Sequence, residues 1–116
     1  MQTPLQLTFR GLAHSDALAT HLQQRAEKLE QFFDRMISCH VVVELAGHHQ
    51  CHGNRYHLSI NVGLPGHDLL VGRRAQEDRA PEGPFESADR AFDEAERQLE
   101  SWVTRQRDRR HEAALR

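Results

Sequence analysis

Long apolar runs are missing from this 116-residue chain, so no segment is suited to span a bilayer and no membrane partner is expected. The start, Met1-Gln2-Thr3-Pro4-Leu5, lacks the charged-then-apolar layout of an export signal, and a cytoplasmic protein is expected. Cysteine is scarce. Cys39 and Cys51 fall in or beside neighbouring strands, and without an export signal free thiols are expected rather than a disulfide. No glycine-rich phosphate loop occurs, and no nucleophile stands at a telling distance from a base. Histidines and carboxylates are plentiful, yet their spacing organises no catalytic set. No catalytic residue, cofactor or small-molecule substrate is therefore expected. Internal repeats are also lacking.

What is present fits one ordinary globular domain with a modest core: 38% hydrophobic and 28% charged residues. The domain is expected over residues 1–107, with 108–116 a basic tail that has little to bury and frays. A net charge of −2 argues against a simple high-charge nucleic-acid binder, but the distribution is uneven. From Glu77 to Glu100 nine acids face three arginines, whereas from Ser101 to Arg116 five arginines face two acids. Fourteen of the fifteen basic residues are arginine, whose planar fork suits phosphate as well as ordinary ion pairs.

Leu5, Leu7 and Phe9 alternate with Gln6, Thr8 and Arg10, which predicts a half-buried strand ending at Gly11. Ser15 is a natural helix N-cap with Asp16 in the first turn. The helix runs to about Phe33, with Leu18, Leu22, Ala26, Leu29 and Phe33 on one stripe. Arg25 and Lys28 flank that stripe, placed to face outward together. Met36 to Ala46 predicts a second strand centred on Val41-Val42-Val43, followed by a polar connector from Gly47 to Asn54. Arg55 to Val62 alternates again, Gly63-Leu64-Pro65-Gly66 turns the chain, and Asp68 to Arg74 supplies a fourth strand. After a loop through Pro81 and Pro84, a last helix begins near Phe85 and buries Phe85, Ala88, Phe92, Ala95, Leu99 and Trp102. The order β-α-β-β-β-α predicts an α+β fold of two layers, a four-stranded sheet with both helices on one face.

The run Lys28-Leu29-Glu30-Gln31-Phe32-Phe33-Asp34-Arg35 leading into a valine-rich strand, with Glu96-Arg97-Gln98-Leu99 in the last helix, resembles a known family. It is that of the short ribosome hibernation-promoting factors and ribosome-associated inhibitors, the sigma-54 modulation protein family. The resemblance covers nearly the whole chain. It implies a fold like that of double-stranded-RNA-binding domains and docking on small-subunit ribosomal RNA, in the channel of messenger and transfer RNA. It also implies inhibition of translation under stress. Arg25, Lys28 and Arg97 match basic family positions, and Arg35 follows the first helix as it does there. The chain departs from the family pattern at Glu94, where lysine is usual, and at Glu100-Ser101-Trp102-Val103, where lysines follow.

In a ribosome-binding reading, Arg25, Lys28, Arg35, Arg73, Arg74, Arg90, Arg97 and Arg105 are the candidate RNA-contacting cations, acting through charge and shape in a monomer. The same side chains also read as an ordinary solvated surface, since Glu86-Arg90, Arg90-Glu94 and Asp93-Arg97 have helical ion-pair spacing. That reading suits a protein-interaction module that kept the fold without the ribosome. A third reading is metal-responsive: His48, His49, Cys51 and His52 crowd the connector, although their spacing fits no zinc signature well. The aromatic residues Phe32, Phe33, Phe85, Phe92 and Trp102 sit at core-like spacing, so base stacking is not expected of them.

Overall fold

The alternation through Leu5, Leu7 and Phe9 becomes strand β1 (Gln6–Arg10) in a computed structural model that describes residues 2–49, 53–73 and 83–114. Gly11 ends the strand at φ 76°, a left-handed conformation that side-chain-bearing residues rarely adopt. Helix α1 (Asp16–Phe32) follows, capped by Ser15, whose hydroxyl accepts the Leu18 N–H at 3.2 Å. Removing that acceptor in Ser15→Ala is expected to cost about 1 kcal/mol, read as a lower midpoint in urea with an unchanged slope. Leu18, Leu22, Ala26 and Leu29 are buried, as their spacing predicts.

Strands β2 (Ser38–His49), β3 (Gly53–Leu64) and β4 (His67–Arg73) complete a sheet in the order β1-β2-β3-β4. β1 and β2 run parallel with α1 as their crossover, and β2, β3 and β4 form the expected antiparallel meander. Leu7, Val41, Ile60 and Val71 lie opposite one another across all four strands and form one apolar row. The β3–β4 turn places Pro65 before Gly66 at φ 70°, the pairing a type II turn requires. Helix α2 (Pro84–Ala114) begins on proline, whose missing N–H is harmless in a first turn. It buries Ala88, Ala91, Phe92, Ala95, Leu99 and Trp102 in the same core as the α1 stripe and the inward strand residues. The α+β, two-layer architecture predicted from periodicity is therefore the observed one. Among the described residues no helix is long and apolar enough to cross a membrane.

Three local expectations need correction or extension. The polar stretch from Gly47 is not a connector at its ends: His48 pairs with Asn54 and His49 with Gly53, past an irregularity between Leu45 and Gly47. Ladder bonds come from the backbone, so polar side chains do not stop a hairpin that a bulge has re-registered. Phe32 and Phe85, read as core, are 51% and 41% exposed. Phe32 lies one position off the α1 stripe, and Phe85 sits at the opening turn of α2, edge-on to His21 at 5.4 Å. Finally, α2 continues past Arg107 to Ala114 with every residue of that extension exposed. A helix of 31 residues is about 46 Å long.

Candidate nucleic-acid interface

The α1–α2 contact arranges its polar groups before any ligand is considered. His21, Arg25 and Lys28 recur along one edge of α1, and Asp89, Asp93 and Glu96 recur with the same spacing along the facing edge of α2. The Arg25 guanidinium donates to Asp89 Oδ1 at 2.8 Å, Asp93 Oδ1 at 2.7 Å and Glu96 Oε1 at 3.4 Å, and lies 5.7 Å from the Phe92 ring centroid. His21 is 2.7 Å from the same Asp89 oxygen, and Lys28 is 3.7 Å from Glu96. Burial works against the Arg25 charge, but the hydrogen bonds it donates to Asp93 and Asp89, with the nearby Glu96 charge, outweigh it and hold its pKa above the ordinary value. Burial likewise opposes the Asp89 charge, and His21 and Arg25 overcome it to hold that carboxyl below its ordinary value.

Arg25 and Lys28 therefore do not face outward together. Arg25, at 14% side-chain exposure, is a strut between the helices, and Lys28 leans on the same carboxylate row. Because the Asp89 pKa is depressed on folding, its contribution is present above the ordinary aspartate range and lost as pH falls below it. Thermal unfolding is expected to show extra acid sensitivity below about pH 4, and Asp89→Asn is expected to flatten that dependence.

The other candidates separate into distinct groups. Arg97 is exposed but forks onto Glu94, its Nε 3.0 Å from Oε2, rather than onto Asp93, which belongs to Arg25. Arg97 holds the Glu94 carboxyl down to about 2, with help from Gln98. Arg90 is exposed on α2 and engaged. Arg73 ends β4, and Arg74 lies outside the described residues. In the connector, His48 and His49 belong to β2, whereas Cys51 and His52 lie outside the described residues. No group of three histidine, cysteine or carboxylate side chains that could hold a metal ion occurs among the described residues. Cys39 is buried and free, and desolvation pushes its thiol up to about 12, which keeps it protonated and inert.

Arg35 and Arg105 remain, and the fold adds Arg107, Arg109 and Arg110 to them. Among the described residues none of these five pairs with a carboxylate. They surround Trp102, which meets Phe33 edge-on at 5.3 Å and stacks on His67 at 6.0 Å and 11°. Two adjoining clefts share Pro65, Trp102 and Gln106. One, of about 270 Å³, opens toward the end of α1 and carries Arg35, Arg107 and Arg110. The other, of about 360 Å³, opens toward the β3–β4 turn and carries Arg105 and Arg109. The Arg35 guanidinium lies 5.7 Å from the Phe33 centroid, held at the rim by a cation–π contact.

An acidic molecule thus has a cationic end, built from the last turns of α2 and the turn that follows α1. Sequence reasoning passed over Arg107, Arg109 and Arg110 because nothing beyond Trp102 looked buried. The usable signal was Trp102, Val103, Gln106, Arg107 and Arg110, which continue one helical face past the last core residue.

Comparison with known proteins agrees with this architecture. A family model described as "Sigma 54 modulation protein / S30EA ribosomal protein" matches residues 5–107. The N-terminal domain of Thermus thermophilus Protein Y superposes with a TM-score of 0.65 at 24% identity, covering 88% of this chain and 99% of that one. A ribosomal subunit interface protein from Coxiella burnetii gives 0.68 at 17% identity, covering 86% and 97%. At these identities the two structures speak for the fold alone. No curated protein matches the sequence. By the match along residues 5–107, the chain belongs to the sigma-54 modulation protein/S30EA ribosomal protein family.

Proposed function

We propose that this family member is a non-enzymatic, cytoplasmic, ribosome-associated factor. It docks on ribosomal RNA of the small subunit, in the channel used by messenger and transfer RNA, and silences translation under stress by occupying that space. The observation that carries the reading is the convergence of Arg35, Arg105, Arg107, Arg109 and Arg110, without carboxylate partners among the described residues, on a chain of net charge −2. Such exposed guanidinium groups can neutralise RNA phosphates and release the counterions condensed on them. The family to which the chain belongs carries the description of a ribosomal protein, which supports a ribosomal partner here.

The phosphate-facing surface is then the cationic end rather than the groove between the helices, where Arg25 and Lys28 already have carboxylates. That neutralised groove favours the alternative, a protein-interaction module without the ribosome. Co-sedimentation with small subunits at about 50 mM and 200 mM salt separates the two. Strong binding at low salt that falls steeply at high salt supports the ribosomal reading, and absence of co-sedimentation at both selects the module.

A further inference from the structure

Phe32 is a large aromatic side chain that the fold leaves half in water inside the cationic end. It is 51% exposed and lines the same cleft as Arg35, Arg107 and Arg110. The core does not need it, because its neighbour Phe33 supplies the packing against Trp102. The other exposed large apolar side chains have different surroundings. Phe85 packs on His21 beside the Asp89 carboxylate, and Leu70 stands on the open face of the sheet. Only at Phe32, among these, does an exposed ring meet unpaired guanidinium groups.

The cleft has the chemistry of a nucleotide: a π-face for a base, and cations on its walls for the flanking phosphates. Its charged lining is three arginines against the single carboxylate of Asp34. At about 270 Å³ it falls just short of the roughly 300–1,000 Å³ that encloses a whole small ligand, so one planar group entering from the rim suits it better than a captured metabolite. A base in an A-form duplex cannot enter, because it is already paired and stacked on both sides, whereas an unpaired base can be splayed onto an aromatic ring.

We propose that Phe32 stacks an unpaired base of the docked RNA while Arg35, Arg107 and Arg110 hold the phosphates on either side. This rests on the ribosomal reading and adds to it the form of RNA recognised, a single-stranded segment rather than a helix. Pro65 and Trp102 line the same cleft and add apolar surface beside the Phe32 ring.

The test uses the full chain and a fluorescein-labelled mixed-sequence RNA twelve-mer, single-stranded or annealed to its complement, read by fluorescence anisotropy. Phe32→Ala is expected to weaken single-strand binding roughly tenfold and duplex binding less than twofold, with the salt dependence unchanged because no phosphate contact is lost. Phe32→Trp is expected to restore the affinity. Trp102, the sole tryptophan, sits in the cleft wall, so its emission should change when the single strand binds to the parent. A circular dichroism melt confirms that Phe32→Ala is folded, as its exposure leads one to expect. Parent-like single-strand binding by Phe32→Ala overturns the stacking proposal. If Arg107→Glu with Arg110→Glu still weakens binding in that case, the ribosomal reading stands without it. If the parent binds neither RNA, the proposal falls as well.

Discussion

Glutamate at both Arg107 and Arg110 is expected to release the chain from small ribosomal subunits at near-physiological salt, with affinity down by roughly one to two orders of magnitude. Each phosphate contact contributes about 0.7 to 0.9 to the slope of log affinity against log salt, so losing two should make that slope shallower by about 1.5. Reversing the charge adds repulsion to the loss, which is why the affinity should fall further than simple truncation would cause. Stability should barely move, because both residues are exposed and lie beyond Trp102, the last buried residue of α2. Arg97→Glu is the matched control. Arg97 is equally exposed but already committed to Glu94, so its reversal should change sedimentation little. Co-sedimentation of the double variant at the parent's level and salt slope would remove the cationic end as the docking surface.

The second large effect is on stability. Arg25→Ala should cost about 2–4 kcal/mol and lower the melting temperature by on the order of 10 °C. Breaking a fully buried ion pair costs about 3–5 kcal/mol, because the remaining charge is left uncompensated. Here the arginine is largely buried, but Asp89 and Asp93 keep 44% and 69% side-chain exposure, and solvent relieves part of the penalty. Without Arg25, Asp89, Asp93 and Glu96 repel one another along one edge of α2, four and three residues apart. Lys28→Ala should cost well under 1 kcal/mol, since the lysine is 57% exposed and touches Glu96 only at 3.7 Å. An Arg25→Ala variant that melts within two degrees of the parent would show that the strut contributes little. This contrast also bears on binding assays. A loss of ribosome association on mutating Arg25 reports an unstable helix pair, whereas the same loss at Arg107 and Arg110 reports the surface itself.

The architecture was legible in the residues because it depends on periodicity. Leu18, Leu22, Ala26 and Leu29 commit one face of α1, Val41 and Val43 one face of β2, and Ala88, Ala91, Phe92, Ala95 and Leu99 one face of α2. Each stripe must be buried, and a two-layer sandwich of a sheet and two helices buries all of them. Ser15 and the pair Pro65-Gly66 marked a helix start and a turn through local backbone chemistry. The Phe32-Phe33 doublet was harder. Adjacent residues can share a helical face, as Ala91 and Phe92 do in α2, but Phe33 ends α1 in extended backbone, and its ring packs on the core while Phe32 stays out.

Charge was another matter. Side-chain pairs within one helix can be guessed from spacing, but Arg25 finds Asp89 and Glu96 across 64 and 71 residues of chain. No local pattern announces that match, because ion pairing depends on distances that packing creates. So the primary structure dictated which elements form, which faces they bury and which family the chain joins. The folded arrangement chose which cations are consumed as struts and which stay free at the far end of α2. Burial follows from composition and period, whereas a cation's availability depends on which carboxylates the packing brings within reach.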